Sequence, residues 1–91
     1  EVKGSDFTIE ADVAIIAIGN GANPLIPQTT PDIKVNKWGN ITVNPDNGRT
    51  SKKGVFSGGD IVRGGATVIL AMGDGRRAAD SMDEYMRTGI W

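Results

Sequence analysis

Three glycine clusters and their acidic neighbours carry the chemistry that this sequence can offer. The first is Gly58-Gly59-Asp60, which closes a short apolar run, Val55-Phe56-Ser57; after Gly64-Gly65 a helix is expected to start. Glycines let a ligand come close to the backbone. An aspartate carboxylate only accepts hydrogen bonds and can hold a ligand hydroxyl. A helix start offers unpaired N–H groups to an electron-rich group. Together these suit a ligand bearing sugar-alcohol or ribose hydroxyls. The same residues also read as a tight turn whose Asp bonds its own backbone.

The second cluster, Gly73-Asp74-Gly75-Arg76-Arg77-Ala78, matches the dinucleotide pattern G-x-G-x-x-A. That fingerprint needs a strand before it and an acidic residue about 20 positions after it, and here the chain ends first. The helical period also runs through these glycines unbroken, so they read as small residues on a packed helix. The third, Gly19-Asn20-Gly21, follows a good strand, but Pro24 stands where a helix should open. It reads as a turn after a strand, close to a ligand.

Positioning these residues requires a small set of elements. Phe7 to Glu10 alternates like a half-buried strand, and Val13 to Ile18 is a continuous apolar run suited to a strand buried on both faces. Residues 20–37 contain Pro24, Pro27 and Pro31 and show no period, which predicts a loop that packs on something or lines a ligand. Residues 39–43 and 55–57 read as short strands, separated by the turn residues Pro45-Asp46-Asn47-Gly48. The spacing of Val68, Met72, Gly75, Ala79, Met82 and Met86 predicts one apolar face of a helix over about 66–87, stopped by Gly89. Ala71, Gly75 and Ala78 keep that helix slim enough to approach a sheet. Arg76 with Asp80, and Asp83 with Arg87, are spaced as i,i+4 ion pairs.

Composition narrows the chemistry further. The chain has 91 residues, 13 of them Gly, and 38% are apolar. That is rich in special backbone positions and poor in core, as a fragment of a nucleotide-binding domain would be. Net charge is −1 with the signs interspersed, which excludes a basic field for nucleic acid. There is no apolar run long enough to span a membrane. No Cys or His is present, so thiolate catalysis, iron–sulfur ligation and imidazole chemistry are excluded within this segment. Neither a catalytic residue nor a metal ligand set is assigned, and the chemistry is expected to come from a bound cofactor. The first residue, Glu1, and the terminal Ile90-Trp91 predict an excised piece. The default compartment is cytoplasmic.

The residues then become specific. The stretch GVFSGGDIVRGGATVILAMGDGRRAADSMDEY resembles the C-terminal segment of the FAD-binding domain in the small (beta) subunit family of NADPH-dependent glutamate synthase. Relatives of that family include the N-terminal half of dihydropyrimidine dehydrogenase and, more distantly, thioredoxin-reductase-like flavoproteins. ADVAIIAIGNGANP is similar to the second signature strand of the same two-dinucleotide-domain fold, and VNKWGNITVN and GRTSKKGVFSGGD fit the small sheet between them. The resemblance covers about Phe7 to Tyr85.

The resemblance implies an α/β fold: a partial FAD/NAD(P)-binding domain of a few strands and one long C-terminal helix, with residues 1–91 forming the last segment of the FAD domain. It implies that Gly59 and Asp60 contact the ribityl and pyrophosphate part of FAD, with Asp60 on a ribityl hydroxyl, and that Ile61 is also cofactor-binding. Ala66, Thr67 and Val68 would turn backbone N–H groups toward the pyrimidine edge of the flavin, where negative charge gathers on reduction. Gly19 would lie near the cofactor. The implied parent passes electrons from NADPH through FAD and iron–sulfur clusters to a large glutamate synthase subunit or a similar acceptor. NADPH and the clusters belong to parts absent from this chain, which is expected to be inactive alone and to self-associate through surfaces left open. The competing expectation is a small non-enzymatic α/β module that binds a partner protein, with Gly-Gly-Asp as turn chemistry only. A G-x-G-x-x-G some two to three hundred residues upstream in the parent frame separates the two.

Overall fold

The computed structural model describes residues 2–91 and contains three helices: α1 (Leu25–Thr29), α2 (Asp60–Arg63) and α3 (Val68–Thr88). The long helix has a defined start and stop. Thr67 has extended backbone, and its hydroxyl accepts from the Leu70 N–H at 3.3 Å. At the other end Gly89 takes a left-handed conformation (φ 69°) and donates its N–H to Tyr85 O at 2.8 Å. The expected helix over 66–87 and its stop at Gly89 are therefore found, displaced by two residues at the start.

The packed face of α3 differs from the expected one. Asp74, Ala78 and Ser81 are buried, while Val68, Met72 and Met86 are exposed and Met82 is partly so. Small residues win here because the chain presses loops, not a sheet, against the helix. A Cβ placed on Gly48 would lie 3.2 Å from Ala78 Cβ, and one on Gly58 would lie 2.9 Å from the Asp74 carbonyl. Only small side chains on α3 and bare backbone opposite allow that approach. The apolar stripe points elsewhere. Gly75, expected to be part of the close approach, has nothing within 4 Å of where its Cβ would stand.

Residues 31–57 fold back and forth over α3. Three single antiparallel bridges tie them, Val35 to Ile41, Val43 to Thr50 and Arg49 to Phe56. The turn at 45–48 closes with the Gly48 N–H on Asn44 O at 2.8 Å. Ile33 and Ile41 are buried in this unit, and the Asn40 amide reaches the Asp60 and Ile61 carbonyls at 3.3 and 3.4 Å. At its far end Phe56, Tyr85 and Trp91 form an aromatic cluster with ring centres 5.2–6.1 Å apart.

The expected sheet is not formed among the described residues. Positions 39–43 and 55–57 supply bridge partners but no strand, and Val13 to Ile18 is unpaired and exposed. A two-face-buried strand needs neighbours on both edges and helices above and below. The described residues supply neither around Val13 to Ile18. The radius of gyration is accordingly 18.5 Å, against about 12 Å for a compact chain of this length. Within 20–37, where the sequence predicts only loop, α1 forms one turn, opened by the Leu25 N–H on Asn23 Oδ1 at 3.0 Å. No described helix is long and apolar enough to cross a membrane.

Candidate functional site

The chain's return after α1 brings two distant glycine-rich turns together. Asn20, Gly21, Ala22 and Asn23 face Asp60, Ile61, Gly64 and Gly65 across a cleft of about 270 Å³. Four features distinguish this cleft. Gly19 and Gly64 have positive φ (83° and 84°), which fixes the sharp exits from each segment. No atom lies within 4 Å of where a Cβ would stand at Gly21, Gly64 or Gly65, so backbone lies bare along the cleft; the same holds at Gly19, which precedes the lining residues and does not line the cleft itself. The exposed Asp60 carboxylate takes part in no hydrogen bond or ion pair among the described residues, although its backbone carbonyl accepts from the Gly64 N–H at 2.9 Å. Finally, α3 starts three residues after Gly65. Thr67 caps Leu70 N–H, and the first-turn N–H groups of Val68 and Ile69 have no helical partner.

The cleft thus joins Asp60 and Ile61 with the turn that follows Gly19. Ala66, Thr67 and Val68 continue from Gly65 at the helix start but do not line the cleft itself. Gly59 stands apart. It is buried at φ 82°, and its N–H donates to Asp74 Oδ2 at 3.4 Å.

Asp74 is the centre of a cluster that the sequence reading left as helix packing. Its buried carboxylate takes Arg63 Nε on Oδ2 and Arg63 Nη2 on Oδ1 (2.8 Å), and Arg77 Nη1 also on Oδ1 at 3.1 Å. The hydrogen bond from Arg63 is the main reason that the Asp74 carboxyl is held down to about 2; burial works against it, and the Gly59 N–H and the Arg63 charge add to the lowering. Arg63 is raised in turn by the same hydrogen bond. The cluster clamps the end of α2 to the middle of α3 and so fixes where Asp60 stands at the other end of α2. One signal could have found it: Asp74 lies on the line of Ala71, Ala78 and Ser81, where an unpaired carboxylate would be too costly to bury. The expected Arg76–Asp80 pair is absent from the ion pairs of the described residues, whereas Asp83–Arg87 forms at 2.9 Å.

The donor set fits part of a flavin nucleotide. Bare glycine backbone suits an extended hydroxylated chain, and an unpartnered carboxylate suits its hydroxyls. A G-x-G-x-x-A loop is not available for a second nucleotide, because Gly73 to Ala78 lies inside α3.

A family model described as pyridine nucleotide-disulphide oxidoreductase matches residues 1–75. Over 88 residues the chain is 40% identical to the small chain of glutamate synthase (NADPH) of Azospirillum brasilense, covering 94% of this chain and 18% of that protein. It is 43% identical over 88 residues to the NADP(+)-dependent formate dehydrogenase subunit beta of Moorella thermoacetica, with 97% and 12% covered. Against the glutamate synthase small chain of Mycobacterium tuberculosis strain H37Rv it is 37% identical over 87 residues, with 94% and 18% covered. The chain spans less than a fifth of the length of each of these relatives.

Proposed function

The chain belongs to the pyridine nucleotide-disulphide oxidoreductase family, whose fold binds FAD and NAD(P), and from that premise we propose that it is the flavin-facing end of an NADPH-dependent oxidoreductase. The observation that carries the proposal is the cleft: residues some 40 positions apart meet there as bare glycine backbone beside a free carboxylate. In this reading Gly19, Asp60 and Ile61 hold the ribityl part of FAD. Gly59 acts one step behind them by shaping the turn. Ala66, Thr67 and Val68 offer the open end of α3 to the electron-rich edge of the ring, and a helix N-terminus favours negative charge there. FAD, when bound, supplies two-electron chemistry with a nicotinamide donor. The chain's own residues bind, orient and polarise; with no Cys or His, none serves as a thiolate or imidazole acid–base.

We further propose that the whole protein resembles the glutamate synthase small chain in passing electrons from NADPH to a partner subunit. Its similarity to a formate dehydrogenase subunit leaves that partner to be decided outside this segment. The experiment is Asp60→Asn in the longer flavoprotein that carries these residues. Flavin retained after gel filtration falls while the fold, read by circular dichroism, is kept. Unchanged flavin content refutes the site. The 91-residue chain alone, lacking a nucleotide fingerprint, binds FAD weakly, and a sub-micromolar Kd for it contradicts the reading.

A further inference from the structure

The chain contains two Asn-Gly pairs in opposite settings, Asn20-Gly21 and Asn47-Gly48. An Asn followed by Gly is open to attack by the next backbone nitrogen on the side-chain amide carbon. Glycine has no Cβ to obstruct the approach and its backbone turns freely. The attack needs that nitrogen free of other bonds and the backbone free to rotate.

At Asn47 both conditions fail. The Gly48 N–H is engaged on Asn44 O at 2.8 Å, and Asn47 Oδ1 accepts from the Arg49 N–H at 3.1 Å. Gly48 is buried, and its Cα faces Ser57 and Ala78 so closely that a Cβ would lie 3.0 Å from the Ser57 carbonyl. At Asn20 both conditions hold. Asn20 and Gly21 are exposed, the Gly21 N–H has no hydrogen-bond partner among the described residues, and open space surrounds Gly21.

We propose that Asn20 is a site of spontaneous deamidation and that the 44–49 turn protects Asn47 from the same reaction. Hydroxide removes the proton from the Gly21 nitrogen, which then bonds to Asn20 Cγ. The Cγ–Nδ2 bond breaks and the amide nitrogen leaves as ammonia after taking a proton from water. Water opens the resulting succinimide at either carbonyl, giving aspartate or isoaspartate, and no electrons are exchanged. The product places a second carboxylate beside Asp60 in the same cleft. On the flavin reading of that cleft, the added charge opposes a phosphate-bearing ligand.

The test needs no flavin, so its failure is distinct from failure of that reading. The full chain is held at mildly alkaline pH, digested, and each Asn-Gly peptide is followed by mass spectrometry for conversion of amide to acid. Asn20 converts at least roughly tenfold faster than Asn47, the factor that about 1.4 kcal/mol of local opening produces. In concentrated urea the two rates converge. Equal rates in the native chain, or a difference that persists in urea, overturns the proposal. In Asn20→Gln the acid form disappears from the first peptide and the Asn47 rate is unchanged; continued conversion in that peptide also overturns it.

Discussion

Residues 31–91 and residues 2–23 have similar apolar chemistry and opposite fates. In the first region Ile33 and Ile41 are buried and loops sit on α3 through glycine and alanine contacts. In the second, Val13, Ile15, Ile16 and Ile18 are all more than three-quarters exposed. Hydrophobicity does not separate them; the presence of a partner surface does. The first region carries its own partner in α3. The second is an apolar run with no paired neighbour among the described residues, and the apolar stripe of α3 is likewise uncovered. The cleft forms where the two regions meet.

The sharpest way to break this contrast is truncation of matched isoleucines. Ile41→Ala costs about 2–5 kcal/mol, whereas Ile16→Ala, at 84% exposure, stays within about 0.5 kcal/mol. Urea denaturation followed by tryptophan fluorescence measures both, and equal costs contradict the division. A matched glycine pair comes next. Gly58→Ala forces a Cβ against Asp74 backbone and costs about 1–3 kcal/mol, while Gly21→Ala enters open space and is near neutral. Thermal unfolding of the two variants reads the difference.

Acid sharpens the comparison further. Asp74 is held below its ordinary 3.8, at about 2, so its folded-state preference is for the ionised form. The stability it contributes is therefore complete above about 4 and is lost as pH falls toward 2. Hydrogen exchange at the contact between α2 and α3 rises over that window in the parent chain and is flat in Asp74→Asn. The smallest effect on stability is expected for Ile16→Lys. It leaves the folded unit unchanged but reduces self-association through the exposed apolar run, read as a lower sedimentation coefficient at high concentration.

Much of the architecture could be read in the residues. α3, its Gly89 stop and the 45–48 turn each have a local cause: helical period, left-handed glycine, and Asn-Gly turn chemistry. Gly19 could be singled out as the glycine that ends an apolar run, and the Asp60 loop because glycines next to a carboxylate are a local pattern. What could not be read depends on distance. The buried face of α3 is chosen by loops 12 to 30 residues away in sequence, so apolar spacing pointed to the wrong side. The burial of Asp74 is explained chiefly by Arg63, which lies on another helix. Strand pairing for Val13 to Ile18 depends on partners that no local pattern supplies.

The central claim is that the cleft between residues 20–23 and 60–65 takes the flavin. Hydrogen exchange on the longer flavoprotein, with and without FAD, tests it most directly. Protection is predicted at residues 20–23, 60–61 and 64–68, with no change at Val43, Asn44, Gly48, Asp74 and Arg77, which line a neighbouring cavity of about 200 Å³ on the other side of α2. Protection confined to that second cavity, or to neither, contradicts it.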